Sequence, residues 1–444
     1  MSTELKRIGE KARACPGQVF TSLYHHVTDM DNLRDCYNAL DGRKAPGADG
    51  VTKEKYGTNL EENLRELSGK LKRMGYIPQP KWRTYVPKPG SDKLRPLGIS
   101  CFEDKIVEEA VKRVLEPIYE TEFENSSYGY RPGRDPLDCV RSLGATIQQC
   151  KVSYVVEADI RGFFDHVNHE WLIKFLSRRI GDKRIVRLIR RMLKSGIMEK
   201  GLVRASEEGT PQGSIISPLL SNIYLHYVLD QWFSQRVIRG CKGEAYYFRF
   251  ADDFVACFQY KSEAELFRRR LGERLGHYHL QLAEEKTNCI EFGRFARGNA
   301  RSRGEKPKEF TFLGFTFYCG KTSRGSFKVK RRTSHKKLGQ VLRKYTEWAQ
   351  EERAKLRKGE MFRRAKTRVV GHLNYYAITD NGKMCGIFLY YATQILFKWI
   401  NRKSQRRSYT WEKFNRVLKW VGWPSVRIKK NMNPFERSAV PLNV

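Results

Sequence analysis

The run from Tyr246 to Phe258 sets Asp252 and Asp253 between two stretches rich in aromatic and β-branched residues, the composition of core strands around a turn. Hairpin turns favour Asn-Gly or Asp-Gly because those residues accept positive φ, and Ala251-Asp252-Asp253 offers neither pair. Adjacent carboxylates repel each other, so holding them at the mouth of an apolar hairpin costs stability unless a cation sits between them. A solvated acidic turn is the plain alternative, and the cation reading gains weight from a third carboxylate on another strand. The stretch Ser153 to Asp165 supplies one. At the strand period of two, Tyr154, Val156, Ala158 and Ile160 make an apolar face, while Glu157 and Asp159 share the opposite one. Two strand-end carboxylates from distant parts of a chain suit a pair of Mg²⁺ ions about 4 Å apart, which clamp the attacking and leaving oxygens in phosphoryl transfer. Asp159 and Asp252 are the expected metal ligands, with Asp253 as the third catalytic carboxylate.

Around these residues six blocks follow in order: Arg95-Pro96-Leu97-Gly98-Ile99, Asp159 to Asp165, Gly209-Thr210-Pro211-Gln212-Gly213, Phe250-Ala251-Asp252-Asp253, Glu285-Lys286-Thr287 and Phe312-Leu313-Gly314-Phe315. Together they resemble the ordered blocks of a reverse transcriptase, and within that class they are most similar to group II intron-encoded reverse transcriptase/maturases. The family usually carries Tyr where Phe250 stands. The resemblance implies an α+β right-hand polymerase, with fingers and palm built of antiparallel sheet and helices, followed by an α-helical thumb. It implies two Mg²⁺ ions, for which Mn²⁺ can substitute, with Ile160 joining Asp159 and Asp252 as a metal contact. Nucleotide contacts are implied for Lys88, Arg95, Phe164, Gln212 and Lys286, Phe164 being the ring that excludes a ribose 2′-OH. Template or intron RNA contacts are implied for Arg43, Lys44, Arg131 and Arg134, and for the thumb cluster Arg402, Lys403, Arg406 and Arg407. The implied partners are an RNA template, a DNA or RNA primer and group II intron RNA. Two other roles stay open: a splicing cofactor whose polymerase site is incidental, and a domesticated enzyme serving phage defence or a CRISPR locus.

The composition agrees with a polyanionic partner. The net charge is +35 over 444 residues, an excess that favours nucleic acid or an anionic membrane surface. No run of 18 apolar residues and no signal-peptide core is present, so a soluble cytoplasmic protein without a membrane partner is expected. The ten cysteines include no C-x-x-C pair, which reads as reduced buried thiols and argues against a zinc-bearing endonuclease module.

The elements that must position the site are readable in outline. Leu60, Leu64, Leu67 and Leu71, and then Ile106, Ala110, Val114 and Ile118, recur at helical spacing. Asn168 is placed to cap a helix bearing Trp171, Leu172, Phe175, Leu176 and Ile180. The block from Tyr128 to Arg134 can stack on bases and grip phosphates, yet Gly and Tyr also build ordinary loops. A core helix is expected from Ile215 to Phe233, a charged helix over 261–285, a mobile basic loop over 294–308 and a strand pair over 310–318. From residue 321 the chain holds 31 Lys and Arg against 7 Asp and Glu. The helical spacing of Phe388, Tyr391, Ile395 and Trp399 makes that region a basic helical bundle. The expected organisation is an N-terminal extension over 1–30, fingers and palm over 31–320, a thumb over 321–410 and a basic segment over 411–444.

Overall fold

A computed structural model describes residues 3–87, 94–402 and 408–434. Its strands are β1 (Lys81–Pro87), β2 (Leu94–Ile99), β3 (Tyr154–Ala158), β4 (Ile197–Glu199), β5 (Leu202–Arg204), β6 (Ala245–Phe250), β7 (Asp253–Phe258), β8 (Asn288–Glu291), β9 (Phe310–Phe312), β10 (Phe315–Lys321) and β11 (Phe327–Thr333). They form three sheets, ordered β2-β1-β4-β5, β6-β7-β3-β8 and β11-β10-β9. With the helices between them this is a mixed α+β fold. The chain divides into two compact units, one of residues 1–135, 156–256 and 262–288, the other of 136–155, 257–261 and 289–444. The division falls before the composition shift at 321 and gives the second unit an early segment, 136–155, that sequence order hides.

In the first unit the leucine and Ile/Val stripes behave as their spacing predicts. Leu64, Leu67 and Leu71 are fully buried on the Leu60–Lys72 helix, as are Ile106, Ala110, Val114 and Ile118 on the Phe102–Tyr119 helix. Asn168 accepts from Trp171 N at the start of the His169–Ser177 helix. The helix expected from Ile215 begins at Ser217, where Pro218 occupies the first turn, and loosens into wider π turns from His226. Proline suits that position because it lacks the N–H that a helix start leaves unpaired.

The Phe102–Tyr119 helix also buries Asp104, whose carboxylate accepts from the Tyr76 hydroxyl and from Gln79 N. Burial pushes Asp104 up to about 7. The folded chain therefore holds a proton there that the unfolded chain releases near pH 4, and stability falls as pH rises from about 4 to about 7. Asp104→Asn is expected to remove a slope of a few kcal/mol across that window. Denaturant midpoints at pH 5 and 7.5 measure it.

In the second unit β10 pairs antiparallel with both β9 and β11, and the chain bends between β9 and β10 at Leu313 and Gly314, both at positive φ. Four helices follow, His335–Lys355, Lys358–Tyr376, Gly382–Ile400 and Trp411–Trp420. On the third of these the buried stripe is Cys385, Phe388, Ala392, Leu396 and Trp399, and Tyr391 is 49% exposed. The expected stripe therefore shifts by one residue in its middle: Ala392 and Leu396 take the buried places expected of Tyr391 and Ile395, while Phe388 and Trp399 stay buried. Residues 296–302 form a short helix where a loop is expected. Among the described residues no helix is long and apolar enough to cross a membrane. All ten cysteines are free, six of them buried.

Candidate active site

The acidic turn joins β6 to β7, and its geometry explains why ordinary hairpin chemistry is absent. Ala251 takes φ +58°, a left-handed conformation that costs a non-glycine residue roughly 1–2 kcal/mol. Such a cost persists where surrounding structure over-determines the backbone, and here the restraint is Arg249. Its guanidinium is fully buried within β6. It donates to both carboxylate oxygens of Asp230 (2.7 and 2.5 Å), to Asn222 Oδ1 (2.9 Å), to the Ala251 carbonyl (3.0 Å) and to Ser127 Oγ (2.8 Å). Asn222 Nδ2 in turn donates to the Gly129 carbonyl. The backbone of Arg249 exchanges hydrogen bonds with Ser126 and Tyr128, so the 126–129 segment lies along β6. A Cβ on Gly129 would strike Ala251 N and Phe250 C. Only glycine lets that strand reach the turn.

This changes the reading of the Tyr128 to Arg134 block. Arg131 is 7% exposed and spends its donors on Glu120 and on the carbonyls of Glu124 and Ser127. It fixes the loop that braces the turn and presents no free guanidinium to a phosphate. Arg134 is half-buried, bonded to the backbone and side chain of Asn125 and set over the Tyr128 ring.

Asp159 follows the end of β3. The helix expected over 261–285 stops at His277, and His279 turns at positive φ. The chain then runs back beside the acidic strand end: Arg161 N donates to Gln281 O, Ala283 N donates to Asp159 O, and Ile160, 2% exposed, bridges Leu282. That reversal delivers Lys286, whose ammonium is hydrogen-bonded to the Asp159 carboxylate. A continuous helix would have carried it away.

Charges converge on the same point. Burial, and after it the Asp159 carboxylate, raises Asp252, opposed by Arg95 and Lys286. Asp253 reaches solvent, yet desolvation by the surrounding chain and the carboxylates of Asp252 and Asp159 push it up to about 7. Burial and Asp252 likewise raise the Tyr130 hydroxyl, with Arg95 opposing. Arg95 is exposed on β2 opposite Val86. Lys88 lies outside the described residues.

The β1–β2 pair is tied to the Thr210-Pro211-Gln212-Gly213 loop by Glu108. Buried with Lys81 (3.4 Å), Glu108 also accepts from Ser100 Oγ and Ile215 N. Gly98 N donates to the Gln212 carbonyl (2.7 Å), and Gly213, at φ +109°, lies against Gly98. The same loop meets the strand-end segment through Thr210 N, which donates to Phe164 O (2.7 Å). Phe164 is half-buried with its ring edge-on to the buried Phe163. Arg95, Phe164, Gln212, Asp159 and Asp252 are thus held by one connected framework within the first unit. Arg43, paired to Asp41, and Lys44 are exposed on a turn. Arg402 is exposed beside Trp399, whereas Lys403, Arg406 and Arg407 lie outside the described residues.

The sequence reading missed Arg249, Asp230, Asn222 and Glu108. A signal existed for the first two: a lone arginine inside an apolar strand and a lone aspartate in the run Tyr227-Val228-Leu229-Asp230 each need a partner to be buried.

Residues 86–317 match the family described as reverse transcriptase (RNA-dependent DNA polymerase). The chain belongs to the reverse transcriptase family. Among curated relatives, the chain is similar to Protein YkfC of Escherichia coli K12, 36% identical over 276 residues that cover 55% of this chain and 72% of that protein. It is also similar to Group II intron-encoded protein LtrA of Lactococcus lactis subsp. cremoris, 37% identical over 52% of this chain and 38% of LtrA. A third relative is the Putative COX1/OXI3 intron 2 protein of Saccharomyces cerevisiae, 29% identical over 53% of this chain and 27% of that protein. The matched region thus spans most of YkfC and less than half of the other two.

Proposed function

We propose that this reverse transcriptase extends a primer with dNTPs on an RNA template, and that it also binds group II intron RNA to aid splicing and mobility. The observation that supports it best is the meeting of Asp159 and Asp252, from two separate strands, with the cations of Arg95 and Lys286 in one electrostatic neighbourhood. Among the described residues no three His, Cys, Asp or Glu side chains enclose an ion unaided. Mg²⁺ does not require that, since it keeps several waters and takes one or two carboxylates plus substrate phosphates. The raised carboxylates and the Lys286 ammonium seated on Asp159 both mark a local demand for positive charge. Asp159 and Asp252, with Ile160 beside them, would hold the metal, and Mn²⁺ could replace Mg²⁺.

Bound divalent ions would lower the pKa of the primer 3′-hydroxyl and stabilise the charge that develops on the phosphoryl group. The chain itself supplies position and charge. Arg95 and Lys286 offset triphosphate charge, Gln212 contacts nucleotide and template–primer, and the Phe164 ring occupies the place a 2′-OH would need. Phe164→Val is therefore expected to raise rNTP use relative to dNTP use by tenfold or more. An unchanged ratio in single-nucleotide extension would make Phe164 a packing residue.

The intron-binding part rests on the names of LtrA and the yeast intron protein and on the basic surface. A splicing cofactor without polymerase activity is the alternative. Addition of the template-complementary dNTP to a DNA primer on RNA separates the two, because a pure splicing cofactor adds none.

A further inference from the structure

The Lys183–Lys194 helix belongs to the first unit and has no part in the site above. It buries Ile185, Leu188, Ile189, Met192 and Leu193, and Asp182 caps it by accepting from Arg184 N. Its other side carries Lys183, Arg187, Arg190 and Lys194, all exposed. Steps of four, three and four residues put them in one row on the helix surface, about 16 Å long at 1.5 Å per residue.

Two features separate this row from an ordinary solvated face. First, like charges at these spacings repel, yet among the described residues no Asp or Glu lies within ion-pair distance of any of the four. Half-buried cations of the same unit such as Arg34, Lys70 and Arg268 are balanced, Arg34 by Asp31 and Glu61, Lys70 by Glu66 and Arg268 by Glu284. Second, the row borders a cavity of about 740 Å³ lined by five cations and no carboxylate, with Ile180, Gly181 and Val186 between them. The fifth cation, Arg191, is anchored to the Met74 and Tyr76 carbonyls (2.7 and 2.8 Å), so this wall is fixed in place.

We propose that the row Lys183, Arg187, Arg190 and Lys194 docks the phosphate backbone of structured RNA away from the template–primer. A polyanion relieves the self-repulsion of the row and releases its own counterions on binding. An acidic protein segment would satisfy the charge alone; RNA is assigned because the proposal rests on the reading of the chain as an RNA-directed polymerase.

The test replaces all four residues by Gln in the full chain and titrates a labelled RNA stem-loop at several salt concentrations. The slope of log K against log salt is expected to flatten by about three, at 0.7 to 0.9 per lost phosphate contact, with at least a tenfold loss of affinity at low salt. A control carrying Lys72→Gln, Arg73→Gln, Arg269→Gln and Arg270→Gln has the same net charge and should keep the wild-type slope. An unchanged slope in the first variant overturns the proposal, and so does an equal change in the control. Loss of poly-glutamate binding with RNA affinity intact also overturns it, in favour of an acidic partner. Should the fourfold variant unfold, Lys183→Gln with Arg190→Gln is read the same way, with an expected change of about 1.5. Primer extension by the wild type, run in parallel, keeps the readings apart: its absence removes the polymerase assignment, whereas extension with an unchanged slope removes only the docking row.

Discussion

Asp252→Asn is expected to abolish primer extension while leaving RNA affinity within a few fold. The substitution keeps size and hydrogen-bonding capacity but removes the charge that a divalent ion needs, at a carboxylate raised by burial and then by its neighbour Asp159. A loss on the order of 10³-fold or more corresponds to roughly 4 kcal/mol of transition-state stabilisation. Asp159→Asn should behave alike, although its carboxylate also holds Lys286. The double variant should be no worse than either single one, because residues that act as one unit are not additive. Single-turnover extension with RNA affinity measured alongside decides it. Near-normal extension by Asp252→Asn would take this residue out of the metal site.

The second large effect is expected at Arg249. Removing one partner of a buried ion pair costs about 3–5 kcal/mol, because the other charge is left uncompensated, while replacing both by apolar residues of similar volume is often neutral. Arg249→Met should therefore lower the unfolding free energy by about that amount, and Arg249→Met with Asp230→Leu should recover most of it. Extension should not recover. The paired replacement restores packing but leaves the Ala251 carbonyl and Asn222 Oδ1 without their donor, so the left-handed turn carrying Asp252 loses its restraint. The expected signature is thermal stability mostly restored relative to Arg249→Met, with kcat still reduced at least tenfold. Recovery of kcat together with stability would mean that Arg249 only supports the fold.

These two sites show what local sequence could and could not reveal. Asp159, Asp252 and the hairpin strands were legible because alternation and turn composition are local properties, as were the leucine stripe of the Leu60–Lys72 helix and the Asn168 cap. The Arg249 network was not, because its partners lie 19, 27 and 122 residues away and only the fold brings them together. Gly129 is a similar case, since the need for glycine comes from the distant Ala251 backbone. The helix expected to 285 failed for a related reason. Residues 278–283 are compatible with a helix by themselves, but their backbone bonds to Asp159 and Arg161 lie across the chain. Arg131 was misjudged because arginine in a Gly/Tyr loop is read as available until Glu120 is seen beside it.

Mn²⁺ binding, followed by electron paramagnetic resonance on the chain mixed with RNA template, DNA primer and a dideoxynucleotide-terminated 3′ end plus the next dNTP, tests the metal site most directly. The account predicts a pair of bound ions in the wild type, lost in Asp252→Asn and Asp159→Asn under conditions where all three proteins still bind the template–primer. Equal Mn²⁺ binding by wild type and both variants would contradict it.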